Sequence, residues 1–136
     1  MLRKLNTKHA GFTLVEIMIV VAIIALLAAI AVPNFLRSRK RSQATQVLED
    51  LRIVDSAVDQ YAIENNKNSA TTPAWADVKA YIKTGSRLYA SSATTPKDIL
   101  GNTIKINAID TAPQVDPLTF GALSDVAPAS FWSPYN

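Results

Sequence analysis

Hydrophobic and polar positions divide the chain into two regimes. From Ile17 to Val32 sixteen consecutive residues are apolar, and Val15, Leu14 and Phe12 extend the run outward. Taken as a helix, residues 12–36 measure roughly 37 Å at 1.5 Å per residue, against a hydrocarbon core of about 30 Å. A soluble core helix rarely carries apolar side chains on every face, so this run predicts a transmembrane helix over 12–36. The pattern then changes. Ala44, Val47, Leu48, Leu51, Val54, Val58, Tyr61 and Ala62 recur at spacings of three and four, while Glu49, Arg52, Asp55, Asp59 and Glu64 fill the other face. That periodicity predicts a second, amphipathic stretch of helix over 42–66, leaning on something C-terminal to it.

Past "NNKNSATTP" the signals are shorter. Thr72-Pro73 has the form of an N-cap followed by proline at the first helical position, and Trp75, Val78 and Tyr81 or Ile82 share one face of a short helix ended by Lys83-Thr84-Gly85-Ser86. "RLYA" at 87–90, "KDIL" at 97–100 and "TIKINAI" at 103–109 read as strands, the last two forming a hairpin about Gly101-Asn102. From Thr111 the chain reads as loop, with Pro113, Pro117, Pro128 and Pro134, and ends in the aromatic tail "SFWSPYN", which should be docked. The expected fold is α+β: a long N-terminal transmembrane helix continuing into an amphipathic helix packed on a small antiparallel β-sheet. The expected organisation is a leader over 1–11, a membrane helix over 12–36, a basic juxtamembrane segment over 37–41 and one soluble head over 42–136.

Charge modifies this picture by its position. Of 14 Lys and Arg against 11 Asp and Glu, Arg3, Lys4 and Lys8 precede Gly11 with no acid among them, so the net +3 belongs to the leader. The run "RSRKR" at 37–41 reads as a solvated membrane flank, with lipid or nucleic-acid phosphate as the alternative partner. It has no interleaved aromatics and an acidic head behind it, which argues against nucleic acid. The single His, His9, lies in the leader and there is no Cys. That removes Ser-His triads, thiol nucleophiles, zinc ligand sets and disulfides from the rest of the chain. No G-x-S-x-G block compensates, so no catalytic residue, cofactor site or metal site is assigned. Asp110, Asp116 and Asp125, with Ser124, offer oxygen ligands for Ca²⁺, but their spacing matches no metal loop.

One residue contradicts its surroundings. Glu16 places an acid near the head of an apolar run, where the cost at a central position is about 2.5–3.5 kcal/mol, and its default reading is functional. If the chain were cut after Gly11, Phe12 would carry a free α-ammonium at i and Glu16 a carboxylate at i+4, adjacent on one helix face.

The segment "KHAGFTLVEIMIVVAIIALLAAIAVPNFLRSRK" closely resembles the N-terminal segment of type IV pilins and type II secretion pseudopilins. The resemblance implies removal of a basic leader after Gly11 by a prepilin peptidase, N-methylation of Phe12, a role for Glu16 in assembly, and a membrane helix containing Pro33 that continues into the soluble domain. It further implies self-association into a helical filament with the help of inner-membrane assembly machinery. The location implied is the bacterial inner membrane, single-pass, with the C-terminal domain periplasmic, followed by a periplasmic or extracellular filament. Physical chemistry accommodates these roles. Glu16 can reach the Phe12 amine of its own chain or of a neighbour, Ala22, Ala25 and Ala29 form a small-residue stripe, and Pro33 removes the hydrogen bond to the Ala29 carbonyl, where a helix can kink. Two rivals remain at this point. An ordinary secretory signal would be cleaved after Ala31, and a single-pass anchored binding module would leave Glu16 incidental.

Overall fold

The computed structural model describes residues 11–91 and 93–136. The leader cations Arg3, Lys4 and Lys8, and His9, lie outside these. The chain divides into two compact units, Met1–Leu36 and Arg37–Asn136. Helix α1, Leu14–Glu64, contributes to both.

In the first unit every residue from Gly11 to Leu36 is exposed. Among the described residues α1 is the one helix long and apolar enough to cross a membrane. A fully exposed helix of this composition has no protein core to enter and is stable only where lipid or other helices cover it.

The second unit has a core of its own. The α1 face formed by Ala44, Val47, Leu48, Leu51, Val54, Ala57, Val58 and Ala62 is buried, as the periodicity predicts, although Tyr61 is only half-buried. The helix ends in a C-terminal motif built on asparagine. Asn66 adopts φ 48°, the Lys67 amide donates to the Ala62 carbonyl at 3.0 Å and the Asn66 amide to Ile63 at 3.5 Å. An asparagine in the left-handed region lets the chain reverse while satisfying the last helical carbonyls. Four short helices then cover the α1 face: α2 Trp75–Lys79, α3 Arg87–Ser91, α4 Pro117–Leu123 and α5 Ala129–Trp132. They contribute Trp75, Val78, Leu88, Leu123 and Trp132 to one hydrophobic cluster, joined by Ile82, Ile104, Ile109, Val115, Ala127 and Tyr135 from the connections.

The expected β-sheet is not there. Among the described residues extended pairing amounts to two isolated antiparallel bridges, Lys97 with Thr103 and Lys105 with Gln114. The hairpin turn about Gly101 does form, with φ +88° at Gly101 and the Asp98 amide bonded to the Asn102 carbonyl at 2.9 Å. Its ladder stops because the next residue, Pro96, accepts from the Ile104 amide at 2.9 Å and has no N–H to return. The second bridge is cut short differently. Asp116, which would pair next with Thr103, instead caps α4, and the Ala112 carbonyl takes the Asn107 side-chain amide at 2.7 Å, so the positions that would extend the ladder are engaged elsewhere.

Three further expectations need correcting. "RLYA" is helix α3, because Ser86 Oγ accepts the Tyr89 amide at 3.2 Å and nucleates a turn. Helix α2 begins at Trp75 behind Ala74, without a side-chain cap, and Pro73 is buried in place of opening the helix. The stretch after Thr111 holds two helices, the first opened by Asp116, whose side chain accepts from Leu118, with Pro117 at the first turn. The aromatic tail is docked as expected, with Trp132 fully buried and Tyr135 8% exposed.

Candidate functional site

The residues singled out from the sequence gather at the start of α1. Gly11 and Phe12 precede the helix, and Phe12 is 82% exposed. Thr13 caps it. The Thr13 amide and hydroxyl both donate to Glu16 Oε2, at 3.1 and 3.2 Å, and Thr13 Oγ1 accepts the Glu16 amide at 3.2 Å. This is a reciprocal capping box. The side chains at the cap and at the third helical position satisfy amides that the helix leaves without intrahelical partners, and the carboxylate sits against the positive end of the helix dipole. The sequence carries its signature, Thr-x-x-Glu at 13–16, and reading Glu16 as a charge alone overlooks it. Glu16 therefore does two things at once. Oε2 fixes the helix start, while Oε1 takes no bond among the described residues.

Ala22, Ala25 and Ala29 lie along the exposed part of α1, and Pro33 lies inside it. Helix α1 continues through Pro33.

The head carries a second polar arrangement that periodicity missed. Asp50 sits on the buried face of α1 and pairs with Arg87 of α3, whose Nη1 also donates to the Lys97 carbonyl at 3.4 Å. Burial pushes the Asp50 carboxyl up to about 6; Arg87 opposes that rise, while Asp98 and Glu49 add to it. Asp98 is buried beside it and accepts the Leu100 and Asn102 amides, both at 2.9 Å, together with the Thr119 hydroxyl. These groups clip α1, α3, the 98–102 turn and α4 together. Each charge has hydrogen-bonding partners, the condition under which a buried ion is tolerated.

The acids considered for Ca²⁺ do not converge. Asp116 caps α4 and Asp125 binds Lys40 Nζ at 3.0 Å through both oxygens, while Asp110 takes φ 70° in a turn. Among the described residues no group of three His, Cys, Asp or Glu is placed to hold a metal ion.

Residues 6–32 match the family model described as the prokaryotic N-terminal methylation motif. The chain is 41% identical over 66 residues to the type IV major pilin protein PilA of Myxococcus xanthus, covering 48% of this chain and 30% of that protein. It is 44% identical over 64 residues to the type IV wide pilus major component PilA4 of Thermus thermophilus, covering 47% and 49%. To the type II secretion system core protein G of Pectobacterium carotovorum it is 34% identical over 64 residues, covering 47% and 41%. The matched stretch thus spans less than half the length of each of these curated relatives. No solved structure matches. At residues 6–32 the chain carries the prokaryotic N-terminal methylation motif, and by that motif and these relatives it resembles the family of type IV pilins and type II secretion pseudopilins.

Proposed function

We propose that this chain is a structural subunit of a pilin-like filament, a type IV pilus or a type II secretion pseudopilus, cleaved between Gly11 and Phe12 and methylated on the Phe12 amine. The observation that carries this reading is Glu16, an acid directly before the unbroken apolar run of residues 17–32 on a helix exposed along its whole first unit, four residues from the proposed new N-terminus. In the mature chain the Phe12 ammonium would stand one residue before the Thr13 cap, and the Glu16 carboxylate folds back onto that cap. The Thr13 bonds hold the carboxylate in place and leave Oε1 available to the amine of a neighbouring subunit. Charge matching between neighbours then sets axial register, because a carboxylate buried without its cation is strongly unfavourable. Before assembly the helix resides in the inner membrane with the head of residues 37–136 on the periplasmic side. The similarity to pilins and to a type II secretion core protein supports a filament or secretion role, and the methylation motif supports processing at this end.

Mass analysis of the mature protein from a host with a prepilin peptidase tests the proposal. The expected N-terminus is Phe12 carrying one methyl group. Recovery of Val32 as the N-terminus would establish ordinary signal cleavage after Ala31, and an uncut chain extracted as a monomer would establish the anchored module.

A further inference from the structure

The run Arg37-Ser38-Arg39-Lys40-Arg41 follows the apolar segment directly in sequence, and its four cations have different fates. Lys40 is half-buried, held by Asp125. Arg37, Arg39 and Arg41 are exposed, and none of their side chains takes a partner among the described residues. The two described arginines further along do pair, Arg52 with Glu49 at 2.7 Å and Arg87 with Asp50. Acids are not scarce in this unit, yet three guanidiniums within five residues are left unmatched.

Their placement narrows the partner. At about 100° per residue Arg37 and Arg41 fall on one side of the helix and Arg39 on the other, spread over about 6 Å of axis. One face of a neighbouring protein cannot meet both sides of a helix. A lipid headgroup layer surrounds the helix, and its thickness of roughly 5–8 Å per leaflet matches the axial spread. Leu14–Leu36 rises roughly 33 Å, enough to fill the hydrocarbon and leave residue 37 at the headgroups. Guanidinium presents a planar fork of donors suited to phosphate oxygens, on a stem that lies along apolar surface.

We infer that Arg37, Arg39 and Arg41 form a collar that binds the phosphates of anionic phospholipid at the bilayer surface. The inference rests on α1 being embedded in a membrane up to Leu36, and it adds a lipid preference that neither the processing motif nor filament assembly requires.

The full chain, reconstituted in vesicles of phosphatidylethanolamine and phosphatidylglycerol at three to one, is probed with trace spin-labelled phosphatidylglycerol or phosphatidylcholine. Phosphatidylglycerol should be immobilised at the protein about threefold over phosphatidylcholine, a preference weakened by salt. It should fall by more than half in Arg37→Gln/Arg39→Gln/Arg41→Gln, to the level the unchanged leader cations supply, and persist in Arg52→Gln. The leader cations are the same in every chain compared. No preference in the wild type, or a preference undiminished in the triple variant, overturns the collar. So does a triple variant that loses crosslinking between copies in neutral vesicles while keeping its lipid preference. Flotation with phosphatidylcholine vesicles tests the anchor separately: a chain that fails to float contradicts the membrane reading, and one that floats without the preference contradicts only the collar.

Discussion

Thr13 and Glu16 satisfy each other's polar groups at the head of an otherwise apolar segment, the carboxylate accepting from Thr13 at 3.1 and 3.2 Å while the hydroxyl oxygen accepts the Glu16 amide. Glu16 thus has two separable properties, shape and charge, and substitutions can divide them. Glutamine also serves at the third position of a capping box, so Glu16→Gln should keep the helix start and lose only the charge. Filaments sheared from cells carrying it should disappear, because the neighbour's buried amine loses a partner worth roughly 3–5 kcal/mol. Wild-type filament yield in that variant would leave Glu16 with the cap alone.

Thr13→Ala makes the complementary change. It should cost about 1 kcal/mol of helix capping while leaving the carboxylate charged. Membrane insertion and most of the filament yield should persist, as judged by fractionation and shearing of the same cells.

Acid should act on the head through Asp50. Its carboxyl titrates at about 6 in the folded head against an ordinary value of 3.8, so between those values the native state holds a proton that the unfolded chain has released. The contribution of this group to stability is therefore greatest in acid and declines as pH rises from about 4 to about 6. Melting temperatures of residues 37–136 across this range, compared with Asp50→Asn, should show the wild type falling relative to the variant and the difference levelling above about pH 6.

The fold was legible where one side-chain face meets one core. The buried positions of α1 from Ala44 to Ala62 follow from spacing, as does the docked aromatic tail, because both reflect apolar area leaving water. The sheet was not legible, since "KDIL" and "TIKINAI" have strand composition while the pairing that would confirm it depends on Pro96, Asp116 and Ala112 and on what they meet across the chain. Helix α4 was within reach, because Asp116-Pro117 has the same cap-then-proline form wrongly credited at Thr72-Pro73. At the N-terminus Gly11 and Phe12, proposed as the processing residues, and the acid Glu16 stand out as chemistry, whereas the cap bonding of Glu16 is local geometry that its charge obscures.

Asp98 should be the most sensitive polar residue of the head. Asp98→Ala removes the acceptor for the Leu100 and Asn102 amides and for Thr119, at a cost of about 2–3 kcal/mol in denaturant unfolding of residues 37–136. Asp98→Asn keeps one acceptor oxygen and should recover most of the loss.

Trp132→Ala should cost about 3–5 kcal/mol in the same assay. The indole is fully buried, stands edge-on to Phe131 at 5.1 Å and donates to the Ala127 carbonyl at 3.3 Å. An unchanged melting transition would place the tail at an interface between subunits in place of the core.

Extended backbone that pairs only in single bridges has a consequence for crowding. A long strand edge offers a row of open amides and carbonyls on which another chain can build, and proteins held at high local concentration need some defence against it. Among the described residues this head has no such row, its extended stretches being interrupted after one pair each. If the chain is stored side by side with its copies in a membrane, as proposed, such heads would meet repeatedly without templating one another, which would leave the N-terminal helix to dictate the order of the polymer.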